Sequence, residues 1–404
     1  MNKKLIAVAV AGALGAPGVA LAQASTVQIY GTLVLNYNYI DQGGSGQVGN
    51  IPKVKTDMIN AHDANLGFKG EEALGGGISA WFQCESTMDV SGGGANGTVA
   101  PSAGATTQWC GRNSAFGMKG SMGNAYVGIW DTPMKIVMGN FRPFSTAGAY
   151  GITMLWNGTQ SAVQNTGTSF TRRQTNLISY ASPVFSGFQG NIAYSAANEA
   201  GAQTDATTAS KPRLWSMGAT YTNGPLILGG GYETHRNYNP TASTTYTGGT
   251  DRGWSLGAAY TFAVGGGLKA SAIVTGNKYE LNQPGAAGGT VDQRAWGIYG
   301  DWAVQGPHRV RAGYTHAGDT AGTAGTAAAV VNVANMVANG SAGQTAMTLY
   351  NIQYAYHFSK RTELNFGYAR VANSNFTSIP LQTLGARNTG VDQSAWVFGT
   401  KHTF

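Results

Sequence analysis

From Thr26 to Phe404 the chain alternates apolar and polar residues in stretches of about ten, each closed by a turn or a loop. The clearest run from Leu226 to Glu233 (LILGGGYE), Trp254 to Phe262 (WSLGAAYTF), Ala295 to Trp302 (AWGIYGDW), Arg309 to Tyr314 (RVRAGY), Glu363 to Tyr368 (ELNFGY) and Ala395 to Phe404 (AWVFGTKHTF). Successive side chains of a strand point to opposite faces, so each stretch has one apolar face and one small, polar or charged face. In the last, Trp396, Phe398, His402 and Phe404 share a face, while Val397, Gly399 and Lys401 share the other. Short connections lie at 73–77, 121–123, 183–187, 223–225, 263–266, 305–307 and 360–361. Long ones lie near 41–60, 87–109, 132–168, 197–211, 237–250, 279–290, 318–342 and 373–389. Seven short turns and eight long loops join sixteen strands. The expected fold is all-β: one domain, a 16-stranded antiparallel transmembrane β-barrel with short turns on one side and long loops on the other. The 318–342 loop is low in charge; a short helix and a solvated loop both suit it.

Composition narrows the environment. Charged residues are 11% of the chain, against about 25% in soluble domains. The mean hydropathy is only −0.14, and the one long apolar run sits at the N-terminus, so a bundle of transmembrane helices is excluded. Gly 60 is roughly twice the usual share but has no period of three, which excludes collagen. The closed barrel is the other structure that lipid allows. Tyr30, Tyr180, Tyr221, Trp254 and Trp396, at strand ends, are expected in the interfacial aromatic girdles.

The first residues read as an export signal. Lys3 and Lys4 precede the apolar stretch Leu5 to Val19, and Ala20-Leu21-Ala22 gives a small-residue cleavage site, with Ala22-Gln23-Ala24 as an alternative. Pro17 and the small-residue end argue against an uncleaved anchor helix. Residues 1–22 are therefore expected to be removed, leaving 23–404 as the barrel. Disulfides persist in the compartments beyond, so Cys84 and Cys110 are expected to bond and close a Gly/Ser/Thr-rich loop; two buried free thiols are the alternative. Two isolated cysteines make no metal site, and neither a metal nor a cofactor is expected.

Several segments look familiar together. They are Leu66 to Gly77 (LGFKGEEALGGG) with Trp81-Phe-Gln83, Arg112 to Gly123 (RNSAFGMKGSMG), Asp131-Thr-Pro133, Leu177 to Pro183 with Phe185-Ser-Gly187, Ala312-Gly-Tyr314, and the terminal Lys401-His-Thr-Phe404. In this order they span nearly the whole mature chain and resemble the trimeric general porins of Gram-negative bacteria, the betaproteobacterial type in particular. The resemblance implies a homotrimer in the outer membrane, surrounded by its lipid and lipopolysaccharide. It implies a third loop, about 132–168, folded into the lumen as the constriction, and Phe404 as the signal read by the barrel-assembly machinery. Two departures stand out: Asn65 and Val127-Gly-Ile129 occupy positions where the family commonly carries arginine.

A pore selects by the radius and charge of its narrowest ring. The expected constriction loop holds Lys135 and Arg142 but no Asp or Glu, together with Phe141, Phe144, Tyr150 and Trp156. Strand parity turns Lys69, Lys119, Arg173, Arg309, Arg311 and Lys401 inward, with Glu233 and Asp301 as the inward acids. Lys or Arg on the lipid face near the midplane would cost roughly 2–4 kcal/mol. Arg172 and Arg112 fall on the other parity, above the membrane or turned inward by a bulge. Arg142 before Pro143 and Phe144 also suits an anchor pinning the loop, and the aromatics suit packing better than a solute track.

The reading is a passive channel for small hydrophilic solutes with an anion preference, or a channel biased toward organic carboxylates or phosphate. An enzyme is disfavoured: none of the six histidines sits in a nucleophile or metal motif, and no H-E-x-x-H pair or Walker loop occurs. A plugged barrel acting as adhesin or structural protein is the other rival, and ion conductance separates it. Nucleic-acid binding is disfavoured despite a pI of 9.3, because the bases alternate along strands rather than forming a patch.

Overall fold

The computed structural model describes residues 26–43, 53–91, 109–144, 148–151, 170–196, 213–236, 249–281, 289–323, 344–375, 381 and 390–404. The chain runs through β1 (Thr26–Gln42), β2 (Val54–Asn60), β3 (Asn65–Gly75), β4 (Ile78–Thr87), β5 (Ser114–Gly120) and β6 (Gly123–Asp131) to a helix, α1 (Pro133–Gly139). It continues through β7 (Arg173–Ala181), β8 (Phe188–Ala196), β9 (Arg213–Asn223), β10 (Leu226–Arg236), β11 (Thr250–Phe262) and β12 (Leu268–Leu281). Then follow β13 (Gly289–Ala303), β14 (His308–Ala317), β15 (Ala321–Thr323), β16 (Met347–His357), β17 (Thr362–Asn373) and β18 (Gln393–Thr403). Every neighbouring pair is antiparallel, and β1 also pairs with β18, so the sheet closes and leaves no edge. β2 and β3 both pair with β1, and β14 and β15 both pair with β13, so each couple is one interrupted strand. The 18 segments thus make a closed 16-stranded barrel.

Alternation assigns the faces. Phe116, Leu256 and Phe398 are 61%, 58% and 51% exposed, while their neighbours Ala115, Ser255 and Val397 are buried toward the interior. The first set is the apolar band that lipid covers. Tyr180, Tyr221, Trp254 and Trp396 share its parity. Tyr30 does not, and the girdle expectation fails there. Val27 and Ile29 take the outward face of β1, and the Tyr30 hydroxyl donates to Glu85 inside, at 3.0 Å.

The strands run longer than the sequence pattern suggests, because their outer ends keep pairing beyond the apolar band. The loop expected near 41–60 shrinks to 43–53, since Val54–Asn60 continues the ladder on β1. In the 318–342 loop, Ala321–Thr323 pairs with β13, and residues 324–343 lie outside the described residues. Between β2 and β3, residues 61–64 face only 33–35 of β1, one residue too many. Asp63 absorbs the excess with φ 57°, and the bulge carries His62 and Asp63 into the lumen.

The seam is sealed at the C-terminus. Gly31 and Phe404 exchange backbone hydrogen bonds of 3.2 and 3.1 Å. The Phe404 ring covers Gly31 so closely that an added Cβ would lie 2.5 Å from it. Gly31→Val is expected to strain this closure by about 1–3 kcal/mol, read as a lower temperature for loss of the compact folded band in heated electrophoresis.

Candidate pore constriction

The third long loop enters the barrel instead of leaving it. Thr132 precedes α1 and Pro133 stands in its first turn, where a missing N–H costs nothing. Met134, Val137 and Met138 are buried against β9, β10 and β11. The inward positions there are Gly218, Gly229, Gly231 and Gly257. A Cβ on Gly218 would lie 2.7 Å from Val137, and one on Gly231 would lie 2.9 Å from Met134. Phe141 is fully buried over Gly229 and Gly257, and Phe144 lies over Gly313. The glycine excess therefore has one concrete use: a side-chain-free wall on which the loop can lie. Polar fasteners complete the seat. Lys269 donates to the Asn140 carbonyl at 2.7 Å, Ser271 to that of Phe141 at 2.9 Å, and Asn351 to that of Tyr150 at 3.2 Å.

The loop aromatics divide accordingly. Phe141, Phe144 and Tyr150 are all buried, and Phe144 stacks on Tyr150 at 5.5 Å. Trp156 lies outside the described residues. The Arg142 guanidinium donates to its own loop at the Phe144 carbonyl, 3.0 Å away.

Between the seated loop and the far wall lies a cavity of about 340 Å³. Pro143, Phe144 and Tyr150 bound it on the loop side, and β1, β14 and β16 to β18 bound it opposite. Its charged lining is Asp63, Arg112, Arg311, Glu363 and Lys401. Asn65 also lines it, so an arginine at that position would have entered the same space.

Each expected charge has a defined place. Lys135 pairs with Asp131 at 2.7 Å; Arg173 lies 3.5 Å from the same carboxylate and donates to Asn113 at 2.6 Å. Burial pushes the Lys135 ammonium down, and Asp131 pulls it back up. Burial likewise lowers Arg142, opposed by Asp63 and Asp131. Arg309 binds Asp301 through two hydrogen bonds of 2.6 Å. Arg311 bridges Asp301 at 3.7 Å and Glu363 at 3.5 Å, and donates to Gln353 at 2.6 Å. Lys119 pairs with Glu71 at 2.6 Å, Lys69 sits 5.1 Å over the Tyr30 ring, and Lys401 stands opposite Glu363 on β17.

Two expectations need correction. Glu233 points inward but is fully buried, 2.8 Å from His235, whose ring stacks on Phe170 of the loop's return arm; it does not meet pore water. The tally of two inward acids is also too low. Glu71, Glu85, Asp131, Glu363 and Asp63 join Asp301, while Arg112 and Lys269 add to the bases. Arg112 reaches the lumen because the chain turns back at Cys110. That residue is disulfide-bonded to Cys84, with Cα atoms 4.7 Å apart, and adopts φ 58°. The Arg112 amide then pairs with the Glu85 carbonyl at 2.9 Å and its guanidinium with the Glu85 carboxylate at 2.5 Å. Arg172 is buried in the wall at 6% exposure and does not line the cavity.

A closed barrel with an apolar outer band and a charged lumen narrowed by an inward loop defines an outer-membrane diffusion channel. Residues 7–375 match the family model for Gram-negative porins, and the chain belongs to that family: it is an outer-membrane porin. It is 27% identical over 413 residues to outer membrane porin protein 32 of Delftia acidovorans, with both chains fully covered. It is 30% identical over 281 residues to an outer membrane porin protein of Bordetella pertussis, covering 65% of this chain and 67% of that one. Among solved structures, the anion-selective porin from Comamonas acidovorans superposes with a TM-score of 0.70 at 22% identity, covering 94% of this chain and all of that one. The trimer form of OmpT from Vibrio cholerae gives a TM-score of 0.63 at 14% identity over 95% of this chain and all of the other.

Proposed function

We propose that this porin is a passive, anion-preferring channel for small hydrophilic solutes. The observation that carries the proposal is the imbalance at the constriction. The loop supplies Lys135 and Arg142 and no acid, and across the cavity stand Arg112, Arg311 and Lys401. Among the described residues that line or approach the open lumen, Lys69, Arg112, Lys119, Lys135, Arg142, Arg173, Lys269, Arg309, Arg311 and Lys401 outnumber Asp63, Glu71, Glu85, Asp131, Asp301 and Glu363. The excess is smaller than strand parity alone suggests, so the preference is moderate. Arg112, Arg142 and Arg311 can each fork onto two oxygens, which supports a bias toward carboxylates or phosphate over chloride. The named relative from Comamonas is anion-selective, in the same direction. A homotrimer fits this reading, with residues 1–22 removed on export and Phe404 presented to the barrel-assembly machinery. No catalytic role is assigned.

The test is a reversal potential in a planar bilayer across a tenfold KCl gradient. The expected shift is toward the chloride Nernst potential, and Arg142→Gln with Arg311→Gln should bring it close to zero. A shift toward potassium would overturn the proposal. Absence of conductance in well-folded protein would favour the plugged barrel.

A further inference from the structure

We infer that the Cys84–Cys110 disulfide sets the selectivity of the pore by positioning Arg112 and Asn113, so that opening the bond lowers the anion preference. The inference rests on the channel reading. It adds a covalent bond on the outward side of the wall that governs charges on the inward side.

The backbone shows why the segment needs a staple. The β4–β5 ladder runs from Ser79 opposite Lys119 to Gln83 opposite Ala115 and stops there, although β4 continues to Thr87. Beyond it the Cys110 amide donates to the Ser86 hydroxyl, the Arg112 amide to the Glu85 carbonyl and the Glu85 amide to the Ser114 hydroxyl, each at 2.9 Å. The disulfide is the covalent tie among these contacts. Cys110 itself is held at φ 58°, in the left-handed region that a residue with a Cβ occupies at a cost. Released from Cys84, it relaxes toward negative φ, and Arg112, two residues on, turns with it.

The bond and the charges stand on opposite faces. Parity puts Cys84 outward with Phe82, directly opposite Phe68 on β3, and the Trp109 ring packs 5.9 Å from that of Phe68. Inside, the Arg112 guanidinium neutralises Glu85, which also accepts from the Tyr30 hydroxyl. Asn113 accepts from Arg173 at 2.6 Å and donates to Asp131 at 3.3 Å, and Asp131 pairs with Lys135 of α1. One short segment therefore touches charge on the wall and at the root of the constriction helix. Swinging it away withdraws a base from the lumen and uncovers the Glu85 carboxylate. Both changes act against anions.

The test compares oxidised and reduced porin in planar bilayers across a KCl gradient. Folded full-length protein is treated with dithiothreitol, which gives two electrons and two protons to the pair and leaves two thiols and its own cyclic disulfide. Maleimide mass-tagging counts the thiols, and the compact band in unheated electrophoresis shows that the barrel stays folded. The chloride-to-potassium permeability ratio is expected to fall on reduction, by no more than about fivefold for one displaced unit charge. Oxidised glutathione should restore it. Cys84→Ser/Cys110→Ser should start at the reduced value and ignore dithiothreitol, which keeps the test open if the bond resists reduction in folded porin. Arg112→Gln should lower the ratio in the oxidised state and respond little to reduction. An unchanged ratio in folded porin with both thiols tagged would overturn the inference, and so would an equally large response in Arg112→Gln. Oxidised wild type with no chloride preference would instead sink the channel reading, while a redox response that needs Arg112 would still uphold the staple.

Discussion

Phe141→Ala is expected to leave the barrel folded but to turn a steady channel into a noisy one with higher mean conductance. The ring is fully buried over two glycines that offer no side chain to fill the gap, so the site cannot collapse around the loss. Large-to-small changes of this kind cost about 3–5 kcal/mol when the surroundings stay rigid. The barrel ladder does not depend on the ring, so the loss falls on the loop. Its remaining anchors are α1 on Gly218 and Gly231, Phe144 over Gly313, and the hydrogen bonds from Lys269, Ser271 and Asn351. Single-channel recording reads the outcome directly. Unchanged conductance and open-channel noise would show that the other anchors seat the loop without the Phe141 ring.

The second large effect has the opposite sign from a simple loss. Asp301→Asn is expected to raise the chloride preference, because Asp301 holds Arg309 through two hydrogen bonds and lies 3.7 Å from Arg311. Removing the carboxylate leaves both guanidinium charges uncompensated toward the lumen. A unit charge about 4 Å from a passing ion in water is worth about 1 kcal/mol, roughly a fivefold ceiling on the change in permeability ratio. Salt should erode the effect, since the Debye length falls to about 3 Å at 1 M. The measurement is the reversal potential of wild type and variant at low and high KCl. A decrease in chloride preference would mean that Asp301 lies outside the conducting path.

Much of this was legible in the chain. Alternation alone finds the strands, because a barrel in lipid must show two opposite faces on every strand. It also turns Arg309, Arg311 and Lys401 inward. The same alternation reaches Glu363, opposite in parity to Leu364, Phe366 and Tyr368, and Glu85, opposite in parity to Phe82, so these acids were within reach of the rule. Asp63 and Asp131 were not. Asp63 sits in a one-residue bulge, and Asp131 follows the register shift between Gly128 and Trp130, where counting by twos breaks down. Arg112 escaped for a related reason, since its direction is set by the turn at Cys110 and not by a strand. Parity points Glu233 inward but does not show its burial, since the carboxylate lies against His235, whose ring stacks on Phe170, distant in sequence.

The glycine-floored wall behaves as a mould, and the third loop as the casting that fits it. Pore size is then written in two places far apart in the sequence. A graft that moved residues 132–168 alone into a relative with larger inward side chains on those strands would find no bed and would stand proud in the lumen. Exchanging permeability between such channels requires moving the socket together with the insert.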